Sequence, residues 1–233
     1  MLDGLRLVEH YTSVQGEGPR TGILTQFVRL AGCNMRCPGW PCDTQHAINP
    51  DIYRKNSYVQ TAEELFQACL GKAGRNICLT GGEPLLQDRN GHLQELIERL
   101  TASLDYSVEV FTNGSFDIPP WMLDRCTIMM DWKLTGSGEG ETARDTRRVN
   151  AMKLRRSDGI KFVVADTMDL QEAVGVEDFL RGMLLVPPTF WVTPMWAGIH
   201  PSVVVDFMKK HRVTWRLSLQ THKYIWDADR QGV

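Results

Sequence analysis

The sequence contains no run approaching eighteen consecutive apolar residues, so no transmembrane helix is expected. Its first residues, MLDGLRLVEHYTS, lack the basic and apolar stretches of a secretory signal. Neither sign of charge is in excess: 26 Lys and Arg stand against 28 Asp and Glu, a formal net charge of −2. That balance argues against a nucleic-acid binder, a polybasic membrane protein or a highly charged disordered chain. Repeats, low-complexity tracts and a convincing linker are also missing. What remains is a cytoplasmic globular protein of 233 residues, 42% hydrophobic, with enough chain for one sizeable core. It reads as a single domain over 1–233.

Cysteine is scarce, and its placement is uneven. Of six, Cys33, Cys37 and Cys42 fall within ten residues, while Cys69, Cys78 and Cys126 are scattered. A secreted disulfide framework is denser and sits in a shorter chain; in a reducing compartment a tight cluster binds metal or performs chemistry. The scattered three suit core packing, because a free Cys behaves as a small hydrophobe.

Strand-like and helix-like segments alternate. Strands are predicted over 23–30, 76–80, 107–112, 127–132, 159–164, 190–193 and 214–219. Helices are predicted from a capping box at Thr61 and Glu64, and over 92–102, 169–180 and 202–211. The stretch 133–156, polar and glycine-rich at its start, reads as a long loop or insertion. Six or seven short strands with intervening helices indicate an α/β fold with a mostly parallel sheet, and right-handed crossovers curl such a sheet toward a barrel. In such folds ligands bind at the carboxyl ends of the strands. Gly32-Cys33, Thr80-Gly81-Gly82-Glu83-Pro84, Thr112-Asn113-Gly114, Lys133 and Gln220-Thr221-His222-Lys223 each follow a predicted strand, so they should meet at one mouth.

The cluster loop, near 32–46, holds three thiols with Pro and Gly between them. Three thiolates can wrap one metal centre. A closed zinc site needs a fourth ligand, for which His46 is available, and a non-catalytic zinc-binding module stays open on spacing alone. An iron–sulfur cube with only three Cys keeps one iron free. Gly81-Gly82 reads alone as a strand-end turn, Asn113-Gly114 as a hairpin turn, and Arg29 as a solvated charge.

Taken together and in order, these segments resemble the radical S-adenosylmethionine (SAM) enzymes and, within them, the 7-carboxy-7-deazaguanine synthase family. The resemblance covers nearly the whole chain: Ser13-Val14-Gln15-Gly16-Glu17-Gly18, Phe27-Val28-Arg29-Leu30 before Gly32-Cys33-Asn34, Cys42-Asp43-Thr44, the Gly-Gly-Glu-Pro and Thr-Asn-Gly segments, Lys161-Phe162-Val163 and Gln220 to Lys223. One departure concerns the cysteines. The general spacing is C-x3-C-x2-C, whereas four residues, Pro38 to Pro41, separate Cys37 from Cys42. Another small radical SAM enzyme, such as a glycyl-radical activase, would share the cluster and the Gly-Gly-Glu-Pro element without the flanking motifs.

The resemblance implies a partial TIM-type barrel, the radical SAM fold. It implies a [4Fe-4S] cluster on Cys33, Cys37 and Cys42, with SAM chelating the open iron and yielding a 5′-deoxyadenosyl radical. Thr80, Gly81, Gly82, Glu83, Thr112 and Asn113 would hold SAM, with Lys133 and Ser137 reaching its carboxylate and ribose. Gln15, Glu17, Arg29, Gln220 and His222 would bind 6-carboxy-tetrahydropterin. Thr44 and Asp43 would form a Mg²⁺ element. The product would be 7-carboxy-7-deazaguanine, with loss of ammonia. A flavodoxin-like reducing partner and a homodimer are also implied.

Overall fold

The computed structural model describes residues 3–40, 42–88, 90–102 and 105–233; Pro41 of the lengthened cluster loop lies outside the described residues. β1 (Leu5–Val14) and β2 (Leu24–Leu30) pair antiparallel, Glu9 opposite Arg29 and Tyr11 opposite Phe27, and β3 (Tyr58–Gln60) adds antiparallel to the other side of β1. From β2 onward the pairing is parallel, through β4 (Asn76–Gly81), β5 (Ser107–Thr112), β6 (Cys126–Asp131), β7 (Gly159–Val164), β8 (Thr189–Pro194) and β9 (Arg216–Leu217). The sheet order is 3-1-2-4-5-6-7-8-9. β3 and β9 are the edges and do not pair with each other, so the sheet is a partial barrel rather than a closed one.

The helices supply the crossovers. α1 (Gln45–Ile48), α2 (Pro50–Asn56) and α3 (Ala62–Leu70) follow the cysteine loop. α4 (His92–Ala102), α5 (Pro120–Arg125), α6 (Arg144–Lys153), α7 (Thr167–Met183) and α8 (Pro201–His211) each connect one parallel strand to the next, and α9 (His222–Ile225) ends the series. Among the described residues no helix is long and apolar enough to cross a membrane.

Side chains alternate across a strand, and here the two faces differ in chemistry. Val28 and Leu30, Ile77 and Leu79, Val108 and Val110, Ile128 and Met130, and Ile160 and Phe162 join helix residues such as Leu65, Leu93, Leu96, Leu170 and Leu180 in one buried core. Burying each such side chain is worth roughly 1.5–3 kcal/mol. The intervening positions carry Phe27 and Arg29, Cys78 and Thr80, Phe111, Asp131, Lys161 and Thr193, which border a single cavity. The apolar face holds the sheet to its helices. The other face lines the cavity.

Three expectations are corrected. The segment 133–156 is not an extended loop: it contains a 3₁₀ turn at Thr135–Ser137 and then α6. The buried residues of α6 are Arg147, Asn150 and Ala151, so its inward stripe is largely polar and the apolar 3.6-residue period is missing. Asn113-Gly114 is not a hairpin turn, because β5 and β6 are parallel and joined through α5. The last strand, expected over 214–219, contracts to two residues. Cys69, Cys78 and Cys126 are buried free thiols; Cys69 and Cys126 pack in the apolar core as expected, whereas Cys78 lies on the cavity face instead.

Candidate active site

The motifs that follow the strands do converge. They line a cavity of about 530 Å³ at the carboxyl end of the parallel sheet. Every residue singled out as a ligand contact borders it except Glu83 and Ser137.

Cys33, Cys37 and Cys42 form one wall, each partly exposed and unpaired. Burial pushes the Cys37 thiol up to about 11 and raises Cys33 as well, so both thiols are neutral at pH 7 until a positive centre draws them into thiolates. The backbone beside them is shaped by glycine. A Cβ on Gly82 would sit 1.8 Å from the carbonyl oxygen of Gly32, so no other residue allows the Gly81-Gly82 turn to lie against the cysteine loop. Glu83 N donates to Gly32 O at 2.8 Å and fixes that approach.

Lys133 stands close behind the thiols. Its Nζ donates to Asp131 Oδ2 at 2.6 Å. Burial alone disfavours the ammonium, but Asp131 outweighs it and lifts the Lys133 pKa above its ordinary value. The charge on Lys133 is therefore permanent and faces Cys37 and Cys42. A three-thiol wall, a glycine-only backbone cradle and a fixed cation are a donor set suited to an anionic iron–sulfur cluster. His46, the alternative fourth zinc ligand, meets Glu9 Oε2 at 3.4 Å instead of a thiol. Among the described residues no three His, Cys, Asp or Glu side chains converge at the spacing of one metal ion.

Further lining residues come from β1, β2, β7 and the chain's last turns. Arg29 Nε donates to Glu9 Oε2 at 2.8 Å and Nη2 to Tyr11 Oη at 3.1 Å. Two partners on β1 thus lock the guanidinium, and among the described residues no side chain or carbonyl accepts from its Nη1. Glu17 Oε2 lies 3.5 Å from Lys161 Nζ, and among the described residues Glu17 Oε1 is buried without a partner. Gln15 is less available than expected. Its amide donates to Glu109 Oε1 and its oxygen accepts from Glu17 N at 3.3 Å, which places Gln15 under Glu17 as a support.

Asp43 and Thr44 close the cavity next to Cys42. Asp43 Oδ2 accepts from Gln220 Nε2 at 2.7 Å and Lys223 Nζ at 3.0 Å, and these bonds outweigh burial to hold the carboxyl below its usual range. Thr44 Oγ1 is 3.3 Å from Cys42 Sγ. His222 borders the cavity and burial lowers its pKa, so it is a neutral imidazole at pH 7.

Two expected contacts are displaced. Glu83 is fully buried, and its carboxylate accepts from Thr112 Oγ1 at 2.7 Å, Asn113 N at 2.7 Å and Leu85 N at 3.1 Å. It ties the end of β4 to β5 from a fully buried position outside the cavity lining. Ser137 is also fully buried, donating to Leu134 O at 2.6 Å and accepting from Glu139 N at 3.1 Å. Sequence reasoning missed Glu9, Tyr11, Asp131 and Lys161. Glu9 and Tyr11 alternate on a strand that was not recognised, and that period was the available clue.

A partial parallel barrel presenting three loop cysteines, a diglycine turn and a charged inner face defines a radical SAM enzyme. The 4Fe-4S single cluster domain family matches residues 14–141, more than half the chain. A 7-carboxy-7-deazaguanine synthase of Clostridium acetobutylicum is 34% identical over 98% of this chain and 99% of its own. Another of that name from Leptospira interrogans is 34% identical over the whole of both chains. The crystal structure of QueE from Escherichia coli shares the fold, with a TM-score of 0.65 over 93% of each chain at 21% identity. The chain belongs to the 7-carboxy-7-deazaguanine synthase family.

Proposed function

We propose that this chain converts 6-carboxy-5,6,7,8-tetrahydropterin to 7-carboxy-7-deazaguanine by radical ring contraction with loss of ammonia, a carbon–nitrogen lyase step in 7-deazapurine biosynthesis. The observation that carries this function is one cavity lined by three thiols, by the locked Arg29 and by Glu17, whose Oε1 is buried without a partner among the described residues. The two curated relatives bear the name of that activity over their full length.

Cys33, Cys37 and Cys42 hold the cluster in this proposal, and Thr80, Gly81, Gly82, Thr112, Asn113 and Lys133 hold SAM. When bound, the cluster and SAM supply hydrogen abstraction driven by one electron. The chain's own residues do the rest. Arg29 offers a fork to the substrate carboxylate, its orientation set in advance by Glu9 and Tyr11. Glu17 Oε1 accepts from the amidine-like ring edge, and His222 and Gln220 complete the rim. Positioning of this kind converts a reactive encounter into a directed one. Thr44 would hold Mg²⁺ through its hydroxyl, since magnesium prefers oxygen ligands. Asp43, whose Oδ2 accepts from Lys223 Nζ, would support that site beside Thr44 as ligand or outer-sphere partner.

The one continuous sheet and single core support one domain over 1–233. Six free thiols support a reducing, cytoplasmic setting. A flavodoxin-like protein supplies the electron, and exposed Phe179, Met183, Leu185 and Val186 support association of two copies.

Anaerobic turnover with dithionite, SAM, Mg²⁺ and the carboxypterin, followed by mass spectrometry, tests the assignment. The ring-contracted acid with release of one ammonia is expected. Recovery of unchanged pterin from iron-replete enzyme refutes it. In the same assay Thr44→Val should shift the Mg²⁺ dependence, and an unaltered titration removes Thr44 from the magnesium site.

A further inference from the structure

Lys161 stands on β7 in register with Asp131 of β6 and borders the cavity. Its ammonium carries three donors. It lies 3.5 Å from Glu17 Oε2 and 5.7 Å from the centre of the Phe111 ring, and among the described residues no other side chain or carbonyl accepts a hydrogen bond from it. The neighbouring Lys133 differs, because Asp131 engages it at 2.6 Å. A buried ammonium with donors to spare is unfavourable unless something completes its shell.

Glu17 shows the complementary deficit. One oxygen faces Lys161 and the other is buried without a partner among the described residues. A vacant acceptor and a vacant donor therefore sit side by side in one cavity. The matching ligand edge has N–H groups next to a lone pair. The pyrimidinone edge of a pterin has this pattern, an amino group and ring N–H followed by a carbonyl oxygen, with a ring nitrogen lone pair on the other side.

We propose that Lys161 is a substrate-binding residue, donating to the ring acceptor that flanks the N–H groups taken by Glu17, so that the two side chains together read one edge of the pterin. The inference rests on the pterin reading above. It makes Lys161 a determinant of specificity: a ring of the same size carrying a donor in that place would oppose an ammonium N–H and be rejected.

The test uses anaerobically reconstituted holoenzyme, with steady-state kinetics for the carboxypterin and equilibrium dialysis for SAM. Lys161→Met should raise KM on the order of 10- to 100-fold, the loss of one charge-assisted hydrogen bond, with iron content and SAM affinity unchanged. A change confined to SAM affinity would overturn the proposal, as would a wild-type KM. Since Lys161→Met leaves Glu17 without its cation, Lys161→Gln provides a neutral donor that keeps the fold testable. It should fall between wild type and the Met variant.

Glu17→Gln settles whether Lys161 merely neutralises Glu17. In that background a neutralising lysine has nothing left to do, and adding Lys161→Met would cost nothing further. A lysine bonded to the ring loses affinity again, and this second loss is the expected result. Should wild-type holoenzyme leave the carboxypterin untouched, the functional assignment itself fails. Normal turnover with an indifferent Lys161 refutes only the present inference.

Discussion

Glu83 shows how one residue can be placed near a site by sequence yet perform another task. Its carboxylate is enclosed by Thr112, Asn113 and Leu85, and burial pushes its pKa up to about 7 despite those three donors. The native state thus binds this proton more tightly than the unfolded chain, whose glutamate titrates at its ordinary 4.5. Stability from this group is fully present below pH 4.5 and is lost as pH rises through 7. Glu83→Gln removes the titration, at a pH-independent cost because its amide must face one of the backbone donors, Leu85 N or Asn113 N. Chemical denaturation of the apoprotein between pH 5 and 7.5 should show wild type losing ground to the variant, by on the order of 3 kcal/mol over the full range. Parallel pH profiles for the two proteins would contradict it.

Among the elements, the start of α3 was legible. Thr61 Oγ1 accepts from Glu64 N at 3.2 Å and Glu64 Oε2 accepts from Thr61 N at 2.8 Å, the reciprocal cap that the sequence Thr-Ala-Glu-Glu announces. Thr61→Ala should cost about 1 kcal/mol in equilibrium unfolding, and Thr61→Asp, which keeps an acceptor, should recover most of it. Equal stability of all three proteins would mean that packing alone fixes the helix start. Legibility failed where an element turns polar residues inward. β1 places Glu9 and Tyr11 toward the cavity, and α6 buries Arg147 and Asn150, so neither shows the apolar period on which recognition depends. β3 has only three residues, two of them exposed, and carries too little pattern to be read.

Across the whole molecule, the site was legible because each motif follows a strand and the strands are parallel, so sequence order became spatial convergence. Pairings between those motifs were not legible. Nothing in the order of residues tells that Lys223 and Gln220 will hold Asp43, some 180 positions earlier, or that Lys161 will face Glu17. These contacts arise where the open barrel is bridged without strand pairing. Thr221 N reaches Gly16 O at 3.3 Å and Gly18 N reaches Ser218 Oγ at 3.2 Å, so the chain's last turns dock on the loop after β1. Gly16 sits in that seam. A Cβ there would lie 2.9 Å from His222 Nδ1 and 3.2 Å from Thr221 Oγ1. Gly16→Ala must therefore push the final turn outward, carrying His222 away from Glu17 while the cysteine wall is untouched. The expected outcome is a higher KM for the carboxypterin, with iron content and SAM binding preserved and stability lowered by about 1–3 kcal/mol as for other overpacked sites. Wild-type KM and stability in this variant would show that the seam yields freely and plays no part in shaping the substrate wall.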